Sequence, residues 1–337
     1  GSGARRGEDV VTPSARSGRL PWSRRLALVA LLLSVAAGPS GALAQAEEEA
    51  HPPLADLAPE PRALTGTLAR IKRTGAIRLG HRADAVPFSF LDARGRPVGY
   101  ALDLCRAVAD DVAAELGLEA LRVELVPVTP DDRLSRVAAG EVDLDCGSTT
   151  STVDRQRLVA FSPTTFVSAT RLLVRADSRA RALRDLRGRK VAVTRGTTAV
   201  AVVKDLSARS GLALELVEAR DYREALDLLG DGRADAVAGD EVLLRGVLAE
   251  RRAGKGYRMV GPALSHEPYA LAFARGDPAF AAVVRRTFRR LAASRDVVHV
   301  YNRWFVRPLP SGERLRLPMS RELEELWRIQ GLPSDGS

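Results

Sequence analysis

One stretch of the chain gathers the residue types of an anion site: Asp145 to Arg157, read as DCGSTTSTVDRQR. An apolar run, Val142 to Leu144, leads into it, and a glycine, several short hydroxyls and an arginine follow. Hydroxyls and free backbone N–H groups at the end of a strand accept a carboxylate or phosphate, and a guanidinium adds a planar, bidentate fork. Glycine and serine also make ordinary turns, so the stretch acquires meaning only through partners elsewhere. A second hydroxyl-rich loop, Thr194-Arg195-Gly196-Thr197-Thr198, opens a helix read from Ala199 to Arg209, and Asp240 heads another that runs to Arg252. An aspartate there can cap the helix, accept a cation, or do both. The chain holds no HExxH, no G-x-S-x-G and no P-loop, and its two cysteines form no CxxC or Cys/His cluster. Neither a catalytic machinery, a metal nor a cofactor is therefore expected.

Composition narrows the class further. The chain has 337 residues, 45% of them hydrophobic, which is enough for two domains with proper cores. Its net charge is +9, but six arginines and two acidic residues precede Gln45, and the remainder carries about +5. The basic residues alternate with acids along the predicted helix faces and form no block interleaved with aromatics, which excludes nucleic acid as a partner.

Charge and hydropathy together explain the amino terminus. Arg24-Arg25 precede an apolar run from Leu26 to Ala37, Gly38-Pro39-Ser40-Gly41 break it, and Ala42-Leu43-Ala44 places small residues where a signal peptidase reads. The expectation is a secretory signal peptide within residues 1–44, cleaved after Ala44, with a disordered Ala/Glu/Pro-rich lead at 45–64. The run is short of the ~20 apolar residues of a spanning helix. Ser23-Arg24-Arg25 resembles a twin-arginine signal only faintly, because position 27 is alanine. Export permits a disulfide between Cys105 and Cys146, and two buried free thiols are an equally good reading of the pair.

Two series of elements must position the candidate residues. In the first, an amphipathic stretch from Leu68 to Thr74 ends at Gly75, and Ala76 to Gly80 is a strand continued by His81-Arg82. An extended piece, Val86 to Leu91, and the turn Asp92 to Gly95 lead into a helix from Leu102 to Leu116. Strand Leu121 to Val128, helix Asp131 to Ala139 with Gly140 as its C-cap, and strand Val142 to Cys146 complete the series. The second has a turn at Asp185 to Gly188, strand Lys190 to Val193, the Thr194 loop and its helix. Strand Leu214 to Val217, helix Tyr222 to Leu229, strand Ala234 to Ala238, helix Asp240 to Arg252 and strand Tyr257 to Val260 follow. Such alternation argues for parallel α/β sheets.

Two extended segments without helical period, Phe161 to Val174 and Val260 to Phe273, read as crossings between the lobes. Helices Asp277 to Ser294 and Val297 to Phe305 have no sheet of their own and are expected to return to the first lobe. The expected fold is a two-lobed α/β clamshell: lobe 1 from 65–166 plus 268–330, lobe 2 from 167–267, and a tail at 331–337.

At this point the chain resembles a periplasmic amino-acid-binding protein of an ABC importer, in the type II solute-binding fold, and within it the glutamate/aspartate-binding subset. The resemblance spans Leu68 to Arg328. It rests on Gly80-His81-Arg82 with VPFSF, CGSTT with the arginine of VDRQ, Phe161-Ser162, Thr170 to Leu173, VTRGTT at 193–198, GRADA at 232–236 and the tail LPMSRELEELW. The resemblance implies that Arg155 pairs with a ligand α-carboxylate, helped by Thr150, Thr194 and Thr197. It implies that Asp240 takes the α-ammonium together with Ser148, and that Arg82 and Arg133 meet a side-chain carboxylate. Two cations converging in a closing cleft are costly without an anion between them. The alternative for these two is pairing with Asp84 and Asp132 at the surface. The implied partner is an inner-membrane ABC permease, the compartment the periplasm, and the protein a monomer without cofactor.

The sequence departs from the family pattern at Pro130, where a serine is usual, and at Tyr222, where a histidine is expected on the side-chain carboxylate. Each lost charge-assisted bond is worth ~1.5–3 kcal/mol, which leaves the choice among glutamate, aspartate and glutamine open. The same fold hosts a cyclohexadienyl dehydratase, so a periplasmic enzyme is the competing reading. Its acid could be sought only at Glu241 or Glu267.

Overall fold

The computed structural model describes residues 64–334. The expected signal peptide, all of the lead but Leu64, and residues 335–337 lie outside the described residues. The chain begins with α1 (Gly66–Thr74), closed by Gly75 in the left-handed conformation (φ 61°), whose N–H donates to the Ile71 carbonyl. Next come β1 (Ala76–His81), β2 (Asp84–Ala85), β3 (Ser89–Leu91), β4 (Pro97–Val98) and α2 (Tyr100–Glu115). Then follow β5 (Arg122–Pro127), α3 (Arg133–Ala138), β6 (Leu144–Asp145), α4 (Val153–Leu158) and β7 (Val159–Phe161). The crossing segment holds β8 (Phe166–Ser168) and β9 (Thr170–Arg175). The second series is β10 (Lys190–Thr194), α5 (Thr198–Arg209), β11 (Glu215–Ala219), α6 (Tyr222–Gly230), β12 (Ala236–Asp240), α7 (Glu241–Glu250) and β13 (Tyr257–Val260). The return carries β14 (Glu267–Tyr269), β15 (Ala272–Ala274), α8 (Pro278–Ala293), α9 (Asp296–Phe305) and α10 (Arg321–Ile329).

Two five-stranded sheets share one plan. The first has the order β5-β1-β6-β15-β7 and the second β11-β10-β12-β9-β13. In each, three parallel strands in a 2-1-3 arrangement are followed by an antiparallel strand. In the second sheet that strand, β9, leaves the first crossing; in the first sheet it is β15, which leaves the second crossing. The crossings pair with each other as the antiparallel ribbon β8–β14, with Glu267 opposite Ser168 and Tyr269 opposite Phe166.

Most predicted elements appear with shifted ends. The strand expected from Val142 to Cys146 is regular only over Leu144–Asp145. Even so, Asp143 donates its N–H to the Arg78 carbonyl and Cys146 to that of Gly80, so the bonding along β1 continues on both sides. The stretch from Val86 to Leu91 is not one extended piece but bends at a cis Val86–Pro87 bond before β3. The helix α10 was not foreseen. Ser320 caps it by accepting from the Leu323 N–H, and its Trp327 stacks on Phe288 of α8 at 5.3 Å.

Helices α8 and α9 pack on each other and on α2 beside the first sheet, and α8 also on α1. Phe273 of β15 meets Phe280 of α8 edge to face, and the α9 aromatics Tyr301 and Phe305 join Phe88, Tyr100 and Phe166 in one buried cluster. Phe166 lies on the ribbon β8, so the lobe 1 core reaches directly under the crossing. A disulfide joins Cys105 of α2 to Cys146 beside β6, with Cα atoms 6.1 Å apart, which resolves the pair that spacing left open. Among the described residues no helix is long and apolar enough to cross a membrane, and no His/Cys/Asp/Glu group could hold a metal.

Candidate functional site

The candidate residues collect at the carboxyl ends of the parallel strands of both sheets, where strand-to-helix loops expose backbone and hydroxyl groups. Arg82 follows β1, the Cys146–Thr152 loop follows β6, the Thr194 loop follows β10, and Asp240 is the last residue of β12. The lobes are drawn together. Gly196, with φ +67°, lies so close to Pro130 that a Cβ there would come within 2.5 Å of the Pro130 carbonyl oxygen. Gly246 of α7 approaches the Val86 carbonyl equally closely, Arg223 donates to the Ala83 carbonyl at 3.1 Å, and Arg195 pairs with Asp131.

Three guanidiniums form the wall on the first lobe. Arg82 is 3% exposed and its Nη2 donates to both oxygens of Asp84, at 2.7 and 2.9 Å. The anticipated alternative partner is thus present, but the pair is buried rather than at the surface. Arg133 is equally buried and does not pair with Asp132, which instead accepts from the N–H and hydroxyl of Thr129. Its Nε donates to Thr149 Oγ1 at 2.6 Å, its Nη1 to the Pro130 carbonyl, and its Nη2 reaches the Gly196 carbonyl across the cleft at 3.5 Å. Burial lowers its pKa to about 10, against the pull of Asp145 and with the repulsion of Arg155 and Arg82. Pro130 thus contributes a carbonyl acceptor in place of the serine hydroxyl of the family pattern. Arg155 sits at the third position of α4, where Thr152 caps by accepting from the Arg155 N–H. It donates to the Thr150 carbonyl at 3.0 Å and across the cleft to the Gly196 carbonyl at 3.1 Å. Burial pushes its pKa down as well.

The opposite wall carries hydroxyls and acids. Thr197 Oγ1 donates to the Thr194 carbonyl at 2.6 Å, and the buried Thr194 hydroxyl has no hydrogen-bond partner in the protein. Asp240 does not cap α7 with its side chain. One carboxylate oxygen accepts from the Tyr269 hydroxyl, while Oδ1, buried, has no partner. Burial, reinforced by the charge of Glu267, raises the Asp240 pKa to about 7, although the Tyr269 hydrogen bond and the arginines oppose the shift. The Tyr222 hydroxyl accepts from the Asp240 N–H at 3.3 Å and its ring packs against Gly239, where a Cβ would lie 2.6 Å from Cε1.

One small cavity of about 10 Å³, room for about one water, is lined by Arg82, Arg133, Ser148, Thr150, Arg155, Thr197, Tyr222 and Asp240, with Thr198 and Leu243. Of the sequence-derived candidates only Thr194 is not in this lining. Sequence reasoning missed the contribution of the ribbon. Glu267 and Tyr269, two apart on β14, face the same side: Tyr269 holds Asp240, and Glu267 accepts from Thr150 and Thr198, each at 2.7 Å. The available signal was an acid heading a run of otherwise apolar extended residues, Glu267 to Phe273. A glutamate there is paired by design, since an unpaired buried charge costs several kcal/mol.

Such a cleft offers guanidinium forks for carboxylates and an unpaired carboxylate oxygen for an ammonium, the two ends of an amino acid. The comparisons agree with that chemistry. The chain is 38% identical over 265 residues to the L-glutamate/L-aspartate-binding protein of Pseudomonas aeruginosa, which covers 78% of this chain and 88% of that one. It is 32% identical over 306 residues to the glutamate/aspartate import solute-binding protein of Escherichia coli, covering 90% and 96%. Among solved structures, the ancestral amino acid-binding protein AncCDT-1, a precursor of cyclohexadienyl dehydratase, matches with a TM-score of 0.60 at 29% identity, over 71% of this chain and 99% of that one. Residues 77–307 match the family model for bacterial extracellular solute-binding proteins, family 3, and the chain belongs to that family.

Proposed function

We propose that this chain captures an L-amino acid, glutamate or aspartate, by closure of two lobes and delivers it to the permease of an ABC importer. The observation that carries the reading is the single cavity in which three guanidiniums face an aspartate with a free carboxylate oxygen. In this reading Arg155 takes the α-carboxylate with the Thr194 hydroxyl and backbone N–H groups at Thr150 and Thr197, whose own hydroxyls already donate to Glu267 and to the Thr194 carbonyl, and Asp240 with Ser148 takes the α-ammonium. Arg133 and Arg82 meet the side-chain carboxylate, with Tyr222 beside it. Lobe 1 comprises 65–166 and 268–330, lobe 2 comprises 167–267, and the β8–β14 ribbon is the hinge. The working form is a periplasmic monomer released by cleavage after Ala44.

A second reading is a ligand with an uncharged side chain such as glutamine, favoured by one observation: Asp84 already satisfies the charge of Arg82. An enzyme on this fold is the third, favoured by the likeness to a dehydratase precursor and by the raised Asp240 carboxyl, which could hold a proton near neutrality. Calorimetry on the purified protein with L-glutamate, L-aspartate, L-glutamine, L-histidine and L-arginine separates the first two. Heat with the acidic amino acids is expected; heat only with glutamine or a basic amino acid would overturn the assignment of Arg82 and Arg133. Conversion of prephenate or arogenate, read by mass spectrometry, would establish the third.

A further inference from the structure

Glu267 is 2% exposed, and among the described residues no arginine, lysine or histidine forms an ion pair with it. A buried carboxylate without a contact ion pair is held by its hydrogen bonds, here with the charge of Arg155 also within reach. All four that it accepts come from hydroxyls. Ser265 at 2.5 Å and Thr170 at 3.5 Å hold Oε1. Thr150, on the loop after β6, and Thr198, the first residue of α5, both donate to Oε2 at 2.7 Å. One oxygen thus joins a hydroxyl of the first lobe to a hydroxyl of the second. The residue that carries it lies on the ribbon between them, opposite Ser168. The amino end of α5, a 12-residue helix, adds a favourable dipole, since its N-cap residue Thr197 makes no side-chain cap.

We infer that Glu267 is a positioning residue that acts as an interlobe latch: its carboxylate favours closure by binding Thr150 and Thr198 together, independently of the amino acid. When the lobes rotate apart about the ribbon, Thr150 and Thr198 separate, and Oε2 retains at most one of them. Closure therefore gains a hydrogen bond to a charged acceptor and lengthens the residence of whatever lies in the cleft. Glutamine at this position replaces one acceptor oxygen with an N–H₂ donor that faces hydroxyl donors. The inference rests on the lobe-closure reading above but not on the identity of the ligand.

The test labels exposed Asp110→Cys on α2 and Lys204→Cys on α5 in the full chain with its disulfide intact, and measures their separation by double electron–electron resonance without ligand. Glu267→Gln and Thr198→Val are each expected to reduce the closed-to-open ratio at least about 10-fold, equivalent to about 1.4 kcal/mol. Where the wild type binds glutamate, stopped-flow should show a faster dissociation rate with an unchanged association rate. Unliganded distance distributions that coincide with wild type in both variants would overturn the latch. Thr198→Val replaces the hydroxyl with a methyl group of similar size at a half-buried site, so it stays informative where Glu267→Gln misfolds. A wild type that binds no amino acid strikes the proposed function alone, because the unliganded distances still decide this one.

Discussion

The two walls of the cleft satisfy their polar atoms in opposite ways. On the first lobe each guanidinium already has acceptors: Asp84 for Arg82, Thr149 and the Pro130 carbonyl for Arg133, the Thr150 carbonyl for Arg155. On the second lobe the Thr194 hydroxyl and one oxygen of Asp240 are buried without a partner. Buried polar atoms are almost always satisfied, so the second wall is incomplete by itself; on the first the guanidiniums are preorganised, and the orphan there is a carboxylate oxygen, Asp145 Oδ1, beside Arg133. Under the proposed function, the difference implies an order of events: a ligand docks on the ready-made arginine wall, and closure brings the unsatisfied wall onto it.

Breaking the ready-made wall should cost most. Arg155→Ala removes a cation that bonds both its own loop and the opposite lobe, and titration calorimetry should show loss of binding for every amino acid, at least ~3 kcal/mol. Next comes the contact between the walls. In Gly196→Ala a Cβ would overlap the Pro130 carbonyl at a left-handed backbone position, and the strain of ~1–2 kcal/mol plus the overlap should weaken all ligands ~10–100-fold. Small-angle scattering should find the liganded variant more open than wild type.

Arg133→Ala sharpens the comparison because it separates side-chain from backbone recognition. Loss of a charge-assisted bond, ~1.5–3 kcal/mol, should fall on glutamate and aspartate and spare glutamine. Equal losses across the three in competition binding would contradict the division of labour between Arg133 and Arg155.

The smallest effect probes the incomplete wall. With its pKa raised to about 7 in the closed form, the Asp240 carboxyl binds a proton that an open, solvated carboxyl releases near its ordinary value of ~3.9. The closed empty form therefore holds more protons across that interval. Its advantage is intact below about pH 4 and is lost as pH rises towards 7. Unliganded interlobe distances should shift to the open form across this window, at least ~10-fold in population, and Asp240→Asn should flatten the profile.

Much of the architecture was legible because hydrophobic runs and glycine or proline punctuation follow local rules. Lys190 to Val193 became β10 with one residue added, and Tyr257 to Val260 became β13 unchanged. The helix α10 was missed although its cap, Ser320, is a local signal; only its anchor, Trp327 on Phe288, depends on α8 being in place. Among the site residues, those that end a strand or open a helix could be named from the sequence. Glu267 and Tyr269 could not be given their places, since an acid and a phenol in an extended segment reveal neither face nor neighbours.

The sequence by itself determined the two series of α/β elements, the two crossings and the residue types of an anion-and-ammonium clamp. All of these depend on interactions within a few residues of chain. The tertiary structure alone decided which charges are already met. The Arg82–Asp84 pair, the Cys105–Cys146 bond, and the four hydroxyls around Glu267 join residues up to 117 positions apart or turn on which side chains are buried together. Burial sets both the cost of a charge and the value of its partner, and burial is a property of the assembled lobes.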